Sequence, residues 1–265
     1  EDPVRMLRAI RFAAKLNATI DPASLEPIKR MAPLIENVPA SRLFDEVLKL
    51  LTCGHAMDCL RQLRDVGLHQ GLLPFIDAIF EEKDGEQFVE LALERTDSRV
   101  RAGKTVSPSF LFAALLWKLV NKRWEKNIAQ GEHPIQALML AADFVIDEQT
   151  KKLAIQRRFQ ADMREIWFMQ PRFENASHKS MWRMLEHPRF RAAVDFLQLR
   201  AEGHEVDSVK AQWWMDLADA DNATRTEMID AYHRQNKDTT TATKARRRKR
   251  PRRNPAHTAD STPAA

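Results

Sequence analysis

The chain has 265 residues, of which 44% are hydrophobic and 30% charged, an ordinary composition for a soluble globular protein. It contains neither a signal peptide nor an uninterrupted apolar run of about 18 residues, so the sequence predicts no membrane span. Glycine occurs only 7 times. Because strands, tight turns and phosphate-binding loops all draw on glycine, its scarcity favours helices.

The basic residues are distributed unevenly. The net charge is +5, yet eight of the 42 basic residues fall within 244–253, and the remaining 34 stand against 37 acidic residues. The body is therefore mildly acidic and the end of the chain strongly basic. A concentrated basic arm of this kind suits a polyanionic partner.

Helical signals follow one another along the chain. Asp2 is a good N-cap and Pro3 fits the first helical position, so a helix is predicted from there to Asn17. The segment 108–124 is the most apolar and is predicted to be a core helix. Further helices are predicted at 22–31, 40–54, 56–66, 75–82, 86–101, 134–146, 147–170, 177–203 and 206–234. No segment shows the period-two alternation of a strand, so the predicted fold class is all-α.

Most motifs that carry chemistry are absent. The sequence has no glycine-rich phosphate loop, no nucleophile elbow, no zinc-protease motif and no carboxylate pair placed for two-metal catalysis. Its two cysteines, Cys53 and Cys59, have no further ligands nearby, and we predict ordinary reduced thiols. The sequence therefore predicts neither a catalytic residue nor a metal site in this chain.

One dense group of charged residues lies at the N-terminus. Asp2, Arg5, Arg8 and Arg11 are spaced three apart, so on a helix they form a slowly drifting ridge. Three neighbouring guanidiniums repel one another and need an anion, either a carboxylate or a phosphate. The spacing alone leaves two interpretations open, a salt-bridged surface helix and a phosphate-binding helix.

Two motifs carry a resemblance to a known family. Residues 1–12, EDPVRMLRAIRF, resemble the E-D-x-x-R motif of class II nucleotidyltransferases, the family of bacterial poly(A) polymerases and CCA-adding enzymes. Residues 38–46, VPASRLFDE, are similar to the family's next motif with its R-x-x-x-E core. The segments FLFAALLW and MLEHPRFRAAVDFLQLRAE and the basic run resemble the poly(A) polymerase branch.

The resemblance implies that Asp2 and Arg5 hydrogen-bond to the edge of the incoming base. A carboxylate only accepts and a guanidinium only donates, so the pair fits adenine or cytosine, in which an amino group lies beside a ring-nitrogen acceptor. Guanine and uracil present the reverse pattern, and each buried mismatch costs about 1–3 kcal/mol. Arg8 and Arg11 are implied to contact the nucleotide, through its phosphates.

Three further residues match family positions that we interpret as bracing the base-selecting helix. These are Glu1, Arg42 and Glu46, with an expected pair between Glu1 and Arg42. The alternative for Arg42 and Glu46 is a plain intrahelical ion pair at i, i+4, which contributes only about 0.3–0.5 kcal/mol.

The resemblance gives the basic tail a partner, RNA 3′ ends. Eight residues are predicted to bind RNA phosphates without reading sequence: Lys244, Arg246, Arg247, Arg248, Lys249, Arg250, Arg252 and Arg253. A solubility or localisation element is the alternative for this tail. Further candidates form a path that RNA follows across the body: Arg157, Arg158, Lys179, Trp182, Arg183, Arg189 and Arg191. Burial in the core is the alternative for Trp182, as it is for Trp167, Trp213 and Trp214.

The activity implied by the resemblance is template-independent addition of AMP from ATP to RNA 3′ ends. Mg²⁺ would be bound by a catalytic head that precedes Glu1 in the family and is missing here, and the lack of an initiating methionine also indicates a fragment. The chain would supply base selection and RNA binding to a monomeric, cytoplasmic enzyme with RNA-degradation proteins as partners. Two alternatives remain open: a CCA-adding tRNA nucleotidyltransferase and a non-catalytic helical RNA-binding protein.

The resemblance also implies an elongated arrangement of neck, body and tail. We assign the neck helices to 1–66, a helical body to 67–170 and a helical RNA-binding tail domain to 171–234. Residues 235–265, polar and dotted with proline, are predicted to form a disordered basic tail.

Overall fold

A computed structural model describes residues 2–73, 79–80 and 83–234 of the chain. Every regular element within these ranges is helical, which confirms the predicted all-α class. The tail predicted to be disordered, 235–265, lies outside the described residues. The same holds for most of the short helix predicted over 75–82.

The helices are short to medium in length and joined by brief turns. In chain order they are α1 (Val4–Leu16), α2 (Pro22–Met31), α3 (Ala40–Leu51), α4 (Ala56–Asp65), α5 (Lys83–Arg101), α6 (Pro108–Ala129), α7 (Pro134–Lys152), α8 (Arg157–Glu174), α9 (His178–Leu185), α10 (Phe190–Glu202), α11 (Ser208–Asp219) and α12 (222–234). Two 3₁₀ turns cover Ala32–Asn37 and Leu68–Gly71.

Side-chain caps account for several helix ends. Ser107 begins α6 by accepting a hydrogen bond from the Phe110 N–H at 3.4 Å, and Asp207 begins α11 by accepting from the Lys210 N–H at 2.8 Å. Asn17 ends α1 in the left-handed conformation, with φ at 48°, which asparagine tolerates better than most residues.

The structure corrects several predicted boundaries: α6 runs past 124 to Ala129, and α3 ends at Leu51 before 54. Helix α7 runs past 146 to Lys152, and the chain then leaves the helix over 153–156, because Leu153 and Ile155 turn into the core at 0% and 3% exposure. The helix predicted over 177–203 is two helices, since Pro188 cannot continue a helix and disfavours helical geometry before it. The segment 206–234 is likewise divided, at Asp221, which caps α12.

Two apolar cores hold the helices together. The first core extends from α1 to α8, and within it the predicted core helix α6 buries seven consecutive residues, 111–117, to 1% exposure or less. The second core gathers Phe173 and Trp214 with residues of α9, α11 and α12. Trp167 in the first core and Trp214 in the second are fully buried, whereas Trp182 and Trp213 are only partly buried.

Helices α8 and α10 belong to both cores. In α8, Trp167 packs in the first core and Phe173, two turns later, in the second. In α10, Phe196 packs in the first core and Val194 in the second. These two helices therefore connect the N-terminal helices to the C-terminal ones.

A largely buried carboxylate, with its side chain 12% exposed, strengthens this connection. Glu205, just after α10, accepts hydrogen bonds from the Trp117 indole at 2.7 Å and from Arg200 Nε at 3.0 Å, and its other oxygen lies 2.8 Å from Lys118 Nζ. Burial alone raises the pKa of the Glu205 carboxyl, but hydrogen bonds from Lys118 and Trp117, together with the charge of Arg200, lower it below its usual value. Arg200 also donates to Gln170 of α8 at 3.3 Å.

Glu205→Gln should lower the free energy of unfolding by about 3 kcal/mol at pH 7, because it removes the carboxylate charge that pairs with the buried Arg200. The folded-state pKa of Glu205 is depressed, so its stabilisation is complete above the unfolded pKa of about 4.3 and is lost as the pH falls through the lower folded value. Urea titrations of both proteins between pH 8 and pH 3 should therefore converge at the acid end.

The matched control is Glu202→Gln, since Glu202 forms an exposed pair with Arg95, a kind of contact that contributes less than about 1 kcal/mol. Equal losses of stability in the two variants would show that the Glu205 network contributes no more to the free energy of unfolding than an exposed ion pair does.

Candidate nucleotide- and RNA-binding surface

The arginine ridge is a surface feature because the opposite face of α1 is buried. Val4, Leu7 and Ile10 are at most 1% exposed, and α1 packs on α3 and α4. With 3.6 residues per turn, this packing turns Arg5 and Arg8 outward, and both are exposed. We call this exposed side of α1 the arginine face.

Asp2 joins the two sequence motifs. Its Oδ1 accepts a hydrogen bond from the Val4 N–H at 3.2 Å, and its Oδ2 accepts one from Arg42 Nη2 of α3 at 2.7 Å. The hydrogen bond from Arg42 is the main cause that holds the pKa of the Asp2 carboxyl below its usual value. A residue predicted to brace the helix thus contacts a residue predicted to read the base, and it keeps that carboxylate ionised.

Glu46 makes a second connection between α3 and α1. Its side chain is 7% exposed, its Oε1 accepts a hydrogen bond from Lys49 Nζ at 2.8 Å, and the same oxygen lies 3.5 Å from Arg8 Nη2. Burial raises the pKa of Glu46, but Lys49 and Arg8 lower it more, so that it lies below its usual value. Arg8 itself remains 51% exposed and keeps donors for an external anion.

Arg11 is set apart from these ion pairs. Each three-residue step falls about 60° short of a full turn, so Arg11 lies about 120° around the helix from Arg5. It is half-buried, its Nε is buried without a hydrogen-bond partner, and its guanidinium carbon lies 4.7 Å from the centroid of the Phe12 ring. The predicted ridge is therefore continuous only as far as Arg8.

Three features of this site were missed by the sequence analysis. Lys49 pairs with Glu46, which the i, i+3 spacing on α3 could have indicated. The contact between Asp2 and Arg42 spans 40 residues of sequence, and no local spacing rule reaches that far. Phe12, on the arginine face, is 50% exposed, which the apolar pattern of α1 did not predict.

Several predicted site residues lie outside the described residues. These are Glu1 and the basic residues of 244–253. The pair between Glu1 and Arg42 and the phosphate contacts of the tail therefore stay predictions.

Two of the arginines proposed for the RNA path form ion pairs with carboxylates. Arg189 pairs with Asp162 at 2.8 Å and Arg191 with Asp195 at 3.0 Å, so each brings less net positive charge to RNA than the sequence suggests.

Both cysteines are free thiols, with their sulfurs 3.6 Å apart. The contact with Cys59 lowers the pKa of Cys53 to about 7, so Cys53 is more acidic than the ordinary thiol that was predicted.

Metal ligands and membrane-spanning helices were also sought over the described ranges. No three histidine, cysteine or carboxylate groups there lie close enough together to hold a metal ion. None of the described helices combines the length and the apolar character needed to cross a bilayer.

The chain is similar to proteins of one family along most of its length. Residues 130–254 match the family model "Polymerase A arginine-rich C-terminus", and residues 17–80 match "Probable RNA and SrmB- binding site of polymerase A". The poly(A) polymerase I of Salmonella typhi is 43% identical over 224 residues, which cover 82% of this chain and 48% of that protein. The poly(A) polymerase I of Haemophilus influenzae is 39% identical over 240 residues, covering 88% and 53%.

A CCA-adding enzyme of Limosilactobacillus reuteri is 43% identical as well, but over only 70 residues, which are 26% of this chain and 17% of that enzyme. The chain spans about half the length of the poly(A) polymerases that it matches. With two family models and these relatives in agreement, the chain belongs to the family of bacterial poly(A) polymerases I and corresponds to the two regions that those models describe.

Proposed function

We propose that this chain selects the nucleotide base and holds RNA for an enzyme that adds AMP from ATP to RNA 3′ ends without a template. The observation that carries the proposal is the meeting of the two motifs, in which Arg42 contacts Asp2 and Glu46 contacts Arg8. The match to poly(A) polymerases supports the choice of AMP. The two roles are assigned to different predicted subdomains. The neck, 1–66, would select the base, and 171–234 together with the tail, 235–265, would hold RNA.

Base selection follows from the charge state of Asp2. An ionised carboxylate only accepts hydrogen bonds, and each of its oxygens has a lone pair left after the bonds to Arg42 and the Val4 N–H. It can therefore accept from the N6 amino group of adenine while Arg5 donates to N1. A protonated Asp2 could also donate a hydrogen bond, so it would discriminate less well between bases. The hydrogen bond from Arg42 lowers the pKa of Asp2 and thereby keeps the carboxylate ionised.

The charges beside Asp2 suit the rest of a nucleotide. Glu46 neutralises part of the arginine face and holds Arg8 from one side, which leaves the exposed donors of Arg8 for a phosphate. A role in phosphate contact is also proposed for Arg11, which would first have to leave the Phe12 ring. The chemical step, attack of the RNA 3′-OH on the α-phosphate, would be assisted by Mg²⁺ held outside this chain.

RNA holding would fall to 171–234 and the basic tail, and the segment 17–80 would add to it, since its family model names RNA and SrmB. By this reading the partners are RNA 3′ ends and proteins of RNA degradation, and the enzyme works as a monomer in the cytoplasm. The eight basic residues of 244–253 would bind phosphates without reading sequence.

A CCA-adding activity is the second candidate. The 70-residue match to the Limosilactobacillus reuteri enzyme favours it, and an acceptor–donor pair such as Asp2 and Arg5 admits cytosine as well as adenine. The test uses the full-length protein and offers each labelled nucleotide to an RNA primer. Long tails from ATP alone support the proposal, arrest after two cytidines and one adenosine supports the second candidate, and no incorporation points to a non-catalytic RNA-binding protein.

Arg5→Ala in the full-length protein should lower the preference for ATP over GTP, because the variant loses the donor that rejects guanine. The ratio of the two kcat/KM values should fall by about 10- to 100-fold, equivalent to roughly 1–3 kcal/mol. Steady-state incorporation of each nucleotide measures it. The control is Lys104→Ala, an exposed basic residue between α5 and α6, and an unchanged ratio in Arg5→Ala would refute base reading by Arg5.

Replacing the eight basic residues of 244–253 by glutamine should weaken RNA binding and flatten its salt dependence. Each lost phosphate contact lowers the slope of log K against log salt by about 0.7, so the largest possible change is about 5–6. Fluorescence anisotropy with labelled oligo(A) between 50 and 300 mM salt measures the slope. An unaltered slope would assign the tail to solubility or localisation instead.

A further inference from the structure

The groove between α6 and α7 has features that base selection and RNA holding do not require. It encloses a cavity of about 340 Å³ whose wall is almost entirely apolar. Leu119 of α6 and Phe144 and Val145 of α7 form that wall, while Arg123 and Lys126 border it. We call this feature the α6–α7 groove.

The helices around this groove expose an unusual amount of apolar surface. Among the described residues, ten large apolar side chains are exposed, and half of them belong to α6 or α7: Ile128, Ile135, Met139, Leu140 and Phe144. Single exposed apolar residues are normal on a soluble protein, but clusters mark sites of association. Phe144, one of these five, lines the cavity itself, and the other four lie elsewhere on the two helices that form the groove.

Arg123, at the edge of the groove, carries a buried N–H donor that needs a hydrogen-bond acceptor. The Arg123 guanidinium carbon lies 3.3 Å from the centroid of the Phe144 ring, and Arg123 Nε is buried without a hydrogen-bond partner. Lys126 adds a second cation, and the one carboxylate that lines the cavity, Glu148, is paired with Lys151. The groove is thus an apolar slot with a positive rim.

These features point to the chemistry of the occupant. We infer that the α6–α7 groove binds an acidic amphipathic helix of a partner protein, with apolar side chains in the slot and carboxylates on Arg123 and Lys126. This is the helix-in-groove mode of recognition, in which apolar anchors recur at i, i+3 or i+4, and i+7. The residues that line the groove span 119–126 of α6 and 144–149 of α7, about 10 Å along each helix, which accommodates about two turns of a partner helix.

RNA fits the groove less well. A base stacks on an open aromatic face, whereas one face of the Phe144 ring is covered by Arg123. The wall also provides few polar atoms for base edges. The groove lies outside the segment 17–80 that matches the RNA and SrmB family model, so the inference does not rest on the proposed function.

The test uses the whole chain and a designed probe. The probe is a fluorescent helical peptide of about 16 residues, with leucines at helical spacing and glutamates on the flanking positions. A peptide of the same composition in scrambled order lacks the apolar face, and labelled oligo(A) represents RNA. Fluorescence anisotropy measures the Kd of each probe.

The expected result is binding of the acidic amphipathic peptide and little binding of the scrambled one. Phe144→Glu, which places a negative charge in the slot, and Lys126→Glu, which reverses the rim charge, should each raise the peptide Kd by about tenfold or more. Lys126 is exposed, so its variant keeps the core intact, and circular dichroism checks that both variants remain helical.

Two matched controls separate the groove from general effects. Met139→Glu changes a residue of α7 with similar exposure, 40% against 43% for Phe144, that does not line the cavity. Lys104→Glu reverses an exposed charge away from the groove. Both should keep the peptide Kd within about twofold of the original value, as expected for residues outside a hot spot.

Three outcomes would overturn the inference. The first is equal affinity for ordered and scrambled peptides, or no effect of Phe144→Glu and Lys126→Glu. The second is a loss of oligo(A) binding in these variants with peptide binding unchanged, which would make the groove an RNA surface. The third is a dimer of the chain, seen by sedimentation, that Phe144→Glu dissociates, which would make the occupant a second copy.

Discussion

The burial of one face of α1 against α3 and α4 is the constraint on which the candidate site depends. A helix cannot bury Val4, Leu7 and Ile10 without presenting its remaining side chains to solvent. The same contact brings the N-terminal end of α1 to the first turn of α3, where Arg42 reaches Asp2. Apolar packing therefore decides both which charges are exposed and which are paired.

The charged residues at this junction differ in how deeply they are buried. Glu46, almost fully buried, would be costly as an isolated carboxylate, and one of its oxygens has no hydrogen-bond partner. Lys49 and Arg8 offset that cost. Asp2 and Arg42 lie closer to solvent and pair through a single short hydrogen bond. A nucleotide can therefore form hydrogen bonds with their remaining donors and acceptors without breaking a buried network.

Local sequence signals predicted the helices, because capping residues, prolines and apolar periodicity all act within a few residues. They failed where tertiary burial overrides local preference, as at 153–156, where Leu153 and Ile155 leave a good helical sequence to fill the core. The residues of the site were identified by their motifs, yet their pairing was not, since Arg42 meets Asp2 only after α1 and α3 pack. Arg11 shows the limit of the ridge argument: equal spacing along a helix does not keep side chains on one face.

Helices α8 and α10, each shared between the two cores, have a consequence for how the protein opens. A helix buried on two sides can expose its amide hydrogens only when both neighbouring cores give way, whereas a terminal helix in one core can fray alone. Hydrogen exchange would therefore be slowest in the middle turns of α8 and α10. Unfolding of the second core would also lower the stability of the first core. The helices of the second core are thereby thermodynamically coupled to the N-terminal helices that carry the candidate nucleotide site.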